Sequence, residues 1–106
     1  MNIDIGNGDA IANFNNSQME NLIVQIVTDE SFNGTTTKVE IQESLDGVNW
    51  QTIENKSGDV LEVVIDAAGS SFMLKTDIAF SDTIRANITA GDATSGILTV
   101  KNNYKA

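Results

Sequence analysis

The sequence predicts an all-β fold, a single antiparallel β-sandwich, and three observations carry that expectation. Apolar and polar residues alternate over short runs, the period of a half-buried strand. The runs recur at spacings of roughly 8–12 residues, separated by clusters of glycine, asparagine, serine and aspartate and never by proline. The stretch from Val39 to Ile53 reads as strand, tight turn, strand. Val39 and Ile41 alternate with Glu40 and Gln42, Asp46-Gly47 supplies the turn, and Trp50 and Ile53 reopen an apolar face.

Each element follows from its own pattern. Asn2–Ile5 and Ile11–Asn15 open the chain as weak strands around the turn cluster Gly6-Asn-Gly-Asp9. Leu22–Thr28 is nearly continuous apolar, as in a central strand covered on both faces or one whose outer face meets another subunit; simple core is the plainer reading. Thr36–Glu43 and Trp50–Glu54 form the hairpin already described. Val60–Ile65 and Ser71–Thr76 follow the turns at Asn55–Gly58 and Ala67–Ser70. Asp77–Asp82 reads as one helical turn or a bulged corner. In Thr83–Thr89, Ile84, Ala86 and Ile88 share one face, while Arg85, Asn87 and Thr89 share the other. Gly96–Lys101 is expected to return as the hairpin partner of that strand. About eight short strands in two sheets suit a jelly-roll or an immunoglobulin-like sandwich.

The chain has 106 residues, one domain by length. A domain of this size buries about 65% of its unfolded surface. Residues 1–20 are rich in asparagine and short of bulky side chains; they read as an N-terminal segment or arm ahead of a sandwich spanning 21–106. Ile3, Ile5, Ile11 and Phe14 are too far apart to make a core alone. They are expected either to contact neighbouring subunits, since an added strand gains main-chain hydrogen bonds, or to line an edge strand of the same domain.

Composition narrows the chemistry. There is no cysteine, hence no disulfide and no thiolate zinc site. There is no histidine, which removes the usual general base near neutral pH and the commonest transition-metal ligand. A nucleophile activated by histidine is impossible within the chain. Fifteen acidic against six basic residues give a net charge of −9. Lys38, Lys56, Lys75, Arg85, Lys101 and Lys105 are scattered singly, so neither nucleic acid nor an anionic membrane is an expected partner. The opening Met1–Gly6 lacks the basic and apolar stretches of a signal peptide, and no run reaches the ~18 apolar residues of a membrane span, so synthesis in the cytoplasm is expected.

Few residues suggest a site. Asp46-Gly-Val-Asn49 has too few oxygen ligands at the spacings of a calcium loop, and a turn explains it better. Trp50, flanked by Asn49 and Gln51, suits either a sugar-stacking platform or a core anchor between sheets, and the anchor is favoured. Fifteen carboxylates make some pair inevitable by chance, so no glycosidase pair is inferred. The N-x-[ST] triplets at Asn15, Asn33, Asn55 and Asn87 suit an asparagine-rich chain without a secretory signal and carry no weight. No catalytic residue, cofactor or metal is expected.

The hairpin Ser44-Leu-Asp-Gly-Val-Asn-Trp50 resembles the S-x-D-G-x-N-W hairpin of small β-sandwich proteins of tailed-phage particles. Phe72-Met-Leu-Lys75, Asp82-Thr-Ile-Arg-Ala-Asn-Ile-Thr89 and Gly96-Ile-Leu-Thr-Val100 are similar to the close of those proteins, where an I-R-x-x-[IV]-T strand precedes a Gly/Ser/Thr-rich loop and a final strand. The resemblance covers roughly Thr36–Val100 and rests on turns and core positions. It implies a non-enzymatic virion protein, an auxiliary (decoration) subunit that binds and stabilises a capsid shell. Its partners would be the major capsid protein or other virion subunits in a symmetric or homo-oligomeric assembly. Similar hairpins occur in carbohydrate-binding and adhesion sandwiches, which supply the alternative.

Overall fold

The computed structural model describes residues 1–14, 21–76 and 83–105. They form nine strands: β1 (Asn2–Asp4), β2 (Ala10–Phe14), β3 (Asn21–Thr28), β4 (Thr37–Ser44), β5 (Gln51–Thr52), β6 (Glu62–Ile65), β7 (Ser71–Thr76), β8 (Thr83–Thr89) and β9 (Ile97–Lys105). One sheet has the order β1-β9-β3-β7; the other has the order β2-β8-β4-β5, with β6 also on β4. Every pairing is antiparallel. The expected strand positions hold to within a few residues. The corner expected at Asp77–Asp82 lies outside the described residues, as does Asn15.

The chain alternates between the sheets. β5 meets β4 at residues 42–43 and β6 meets it at 37–40, so the two run on along one edge as a single interrupted strand. Ile53 N donates to Ile41 O, and Ile41 N donates to Leu61 O, which bridges the interruption. With β5 and β6 taken together, the order is that of a jelly roll rather than an immunoglobulin sandwich.

Alternation builds the core. Leu22, Val24 and Ile26 of β3 and Leu98 and Val100 of β9 are buried in one cluster with Val39 and Ile41 of β4 and Ile84, Ala86 and Ile88 of β8. Each large aliphatic side chain buried there contributes about 1.5–3 kcal/mol. The outer residues of β3, Ile23, Gln25 and Val27, are only half-buried. Central position in the sheet therefore covers one face of this strand, not both.

Two expectations give way. β8 and β9 are not a hairpin: β8 pairs with β2 and β4, whereas β9 pairs with β1 and β3 in the other sheet. Residues 90–96 are thus an arch between layers. Of the two readings of the N-terminal segment, the separate arm gives way and the edge strand holds: the first 14 residues form two edge strands of the same domain. β1 pairs with β9, and β2 pairs with β8. Ile3 and Ile5 are buried in the core, so they are not free contacts for a neighbour. A three-residue strand suffices because Ile5, in the 3₁₀ turn Ile5–Asn7, adds its own N–H bond to Gly96 O at 3.0 Å.

The arch is latched to the loop before β4. Asp92 accepts from Thr35 N at 2.8 Å, Thr36 N at 3.0 Å, Thr36 Oγ1 at 3.1 Å and Thr35 Oγ1. Asn33 Oδ1 accepts from Thr94 N at 2.9 Å and Ser95 N at 3.2 Å. Gly96 has φ +118°, and a Cβ there would lie 2.4 Å from Phe32 Cα. Only glycine suits such a backbone at such a distance.

A candidate binding surface at the β4–β5 turn

The opposite end of β4 from the latch carries the hairpin that the sequence singled out. Asp46 organises it. Its Oδ1 accepts from Val48 N and Asn49 N, each at 2.8 Å, and from Ser44 Oγ at 3.0 Å; its Oδ2 accepts from Asn49 Nδ2 at 2.7 Å. Ser44 Oγ also accepts from Gly47 N at 2.9 Å. Gly47 has φ +75°, the left-handed region that the turn requires. The backbone and side-chain donors of Asn49, with Val48 N, hold the Asp46 carboxyl far below the usual carboxylate range. Both its oxygens serve the turn, which is the work of a clamp rather than of an acid, a base or a cation loop.

The clamp presents two apolar side chains to solvent. Leu45 is 92% exposed and Val48 is 77% exposed. They lie in the turn, where no strand alternation turns them toward the core. Sequence reasoning read Asp46 and Gly47 correctly as turn residues and passed over these two. The signal was present: bulky aliphatic residues inside a Ser-Asp-Gly-Asn cluster have no sheet face to occupy. Glu43, Ser44, Leu45, Asp46, Asn49 and Gln51 line a shallow open concavity of about 410 Å³ beside the turn.

Trp50 is not the expected core anchor. It is half-buried and lies outside the buried cluster. The guanidinium carbon of Arg85 sits over its ring, 4.0 Å from the centroid. Arg85 Nε in turn donates to Gln42 Oε1 at 2.8 Å. Arg85 and Gln42 are opposite each other on the outer side of β8 and β4, so the indole packs against that outer face by a cation–π contact. The same face carries the Lys38–Glu62 ion pair at 2.9 Å and a Thr52 Oγ1 bond to Glu40 Oε2 at 3.0 Å.

The other sequence-singled residues do not converge here. Ile11 is 44% exposed on β2, and Phe14 packs partly against the core. Among the described residues, no three acidic side chains are grouped to hold a metal, and no helix is long and apolar enough to cross a membrane.

No family model matches the chain, and no curated protein matches it. Among solved structures, that of PirA is similar over 91% of this chain and 85% of its own, with a TM-score of 0.60 and 13% identity. A CBM4 structure is similar over 90% of this chain and 59% of its own, with a TM-score of 0.43 and 12% identity. At such identities the PirA likeness speaks for the fold alone. This chain is an antiparallel β-sandwich that shares its architecture with PirA.

Proposed function

We propose that the chain is a non-enzymatic assembly subunit, an auxiliary protein that binds and stabilises a tailed-phage capsid shell. The observation that carries this reading is the hairpin Ser44–Trp50, whose clamp holds Leu45 and Val48 out in water. An exposed aliphatic pair on a braced turn contributes nothing to this domain's own core. Buried against a neighbouring subunit, apolar surface contributes roughly 25 cal/mol per Å² with little further ordering of the turn. A small contact repeated over a symmetric shell gives stability by avidity. The same hairpin carries the resemblance to phage sandwich proteins.

A non-catalytic role fits the carboxylates. The donors around Asp46 and Asp92 engage both oxygens of each and hold both carboxyls far below the usual range, which makes them weak bases. Quantitative mass spectrometry of particles from the source lysate tests the reading. Stoichiometry comparable to that of the major shell subunit supports a decoration role. Absence from every particle rejects it.

One observation favours a second reading, a carbohydrate-binding or adhesion module. The concavity beside the turn gathers the amides of Asn49 and Gln51 with the carboxylates of Glu43 and Asp46, and Trp50 lies between those two amides in sequence with its ring half-buried under Arg85. Titration of Trp50 fluorescence with host surface glycans decides it, and an unchanged spectrum discards it.

A further inference from the structure

Among the described residues, the outer face of the β1-β9-β3-β7 sheet differs in charge from the acidic chain as a whole. On β3 its central residues are Ile23 and Gln25. Register places Asn103 and Lys75 on either side of Ile23, and Lys101 and Met73 on either side of Gln25. Met73 is 53% exposed, and both lysines are exposed. Neither lysine forms an ion pair with a described residue. The described carboxylate that register puts on this face is Asp4, at the far edge on β1, where it accepts from Gly6 N. Ile23, Gln25, Met73, Lys101, Asn102 and Asn103 line a shallow groove of about 180 Å³. Among the described residues, a chain of net charge −9 thus carries cationic side chains around an apolar centre on this face.

The β4–β5 turn has the complementary character. Residues 43–49 hold two carboxylates, Glu43 and Asp46, no cation, and the exposed Leu45 and Val48. We infer that the turn of one copy docks on the Ile23–Met73 groove of a second copy, between Lys75 and Lys101. The inference rests on the assembly reading and names the neighbouring subunit that the turn meets there, an adjacent copy of this chain on the shell. The two patches lie on different sheets, β4–β5 in one and β3-β7-β9 in the other, so a copy cannot satisfy itself. The contact is head to tail, and every copy in a row gives one turn and receives another. Local complementarity acts within contact distance, whereas repulsion between net charges is screened beyond about 8 Å at physiological salt. The interface is small and weak in isolation.

Sedimentation velocity on the full chain tests this at concentrations on the order of 1 mM, suited to a contact at the weak end of the range. The wild type is expected to show sedimentation coefficients that rise with concentration. A turn variant, Leu45→Ser with Val48→Ser, and a face variant, Lys75→Glu with Lys101→Glu, are each expected to weaken association at least tenfold. Mixed one to one, they are expected to form a heterodimer, because each retains the patch that the other has lost. All four positions are exposed, so circular dichroism should show native folds; Met73→Asp supplies an independent face variant. A monomeric wild type, or a mixture no more associated than its components, overturns the inference. Particle-bound protein without complementation would sink this contact while leaving the assembly reading intact. Complementation without particle binding would do the reverse.

Discussion

Two turns at opposite ends of β4 use the same chemistry for different ends. Asp46 and Asp92 are both exposed aspartates beside a glycine of positive φ, and each accepts four hydrogen bonds. All of Asp46's partners lie within three residues of it. Asp92's partners lie 56 or 57 residues away. Around Asp92, a Cβ on Gly91 would meet Thr36 backbone oxygen at 2.7 Å, whereas nothing lies within 4 Å of one on Gly47. A latch that joins distant segments can exist only in the folded chain, so it contributes to global stability. A clamp inside one hairpin shapes a surface and leaves global stability nearly untouched.

The largest expected contrast is between the glycines. Gly96→Ala places a side chain in a left-handed backbone against Phe32 and is expected to cost about 3 kcal/mol, from conformational strain plus overpacking. Gly47→Ala meets only the conformational term and is expected to cost about 1 kcal/mol. Denaturant titrations of the two variants measure the difference. Equal losses would break the comparison.

Acid titration sharpens it. Thr35 and Thr36 donors hold the Asp92 carboxyl far below the usual carboxylate range, as Asn49 and Val48 do for Asp46. A carboxyl depressed in the folded state stabilises the fold above its unfolded value of about 4, and that stability is lost as pH falls below it. Asp46 keeps local donors even in an unfolded chain, so its linkage to folding is smaller. Asp92→Asn is therefore expected to flatten the fall in melting temperature between neutral pH and acid, and Asp46→Asn to leave most of it. Melts across that range check the order, and the reverse order would contradict it.

Arg85→Met tests the flank of the turn. Loss of the cation–π contact is expected to cost about 0.5–1 kcal/mol and to alter Trp50 emission. The smallest effect on stability belongs to Leu45→Ser with Val48→Ser, which should melt within about 0.5 kcal/mol of the wild type because the residues touch no core.

Much of the fold was legible in period-2 alternation: Val39 and Ile41, or Ile84, Ala86 and Ile88, announce their buried faces directly. Alternation does not say which sheet a strand joins, because strands of both layers carry the same period. The arch after Thr89 therefore looked like a hairpin loop, although Asp92 and Gly96 were already its latch residues. The N-terminal strands were legible as weak strands, but three or five residues beside abundant asparagine do not say whether they pair within the domain or with a neighbour. Trp50 was misplaced for another reason. Its partner, Arg85, is distant in sequence, and a tryptophan stacked under a cation need not enter the core. The pairing of Lys75 with Lys101 around Ile23 likewise exists only through register, so six basic residues that look scattered conceal a cationic face.

The most direct test of the assembly account is the occupancy of purified particles by wild-type chain and by the Leu45→Ser, Val48→Ser variant, measured by co-sedimentation and quantitative mass spectrometry. The account predicts that the wild type saturates the particles while the variant, equally folded, stays largely in the supernatant. Equal occupancy by both, or no binding by either, would contradict it.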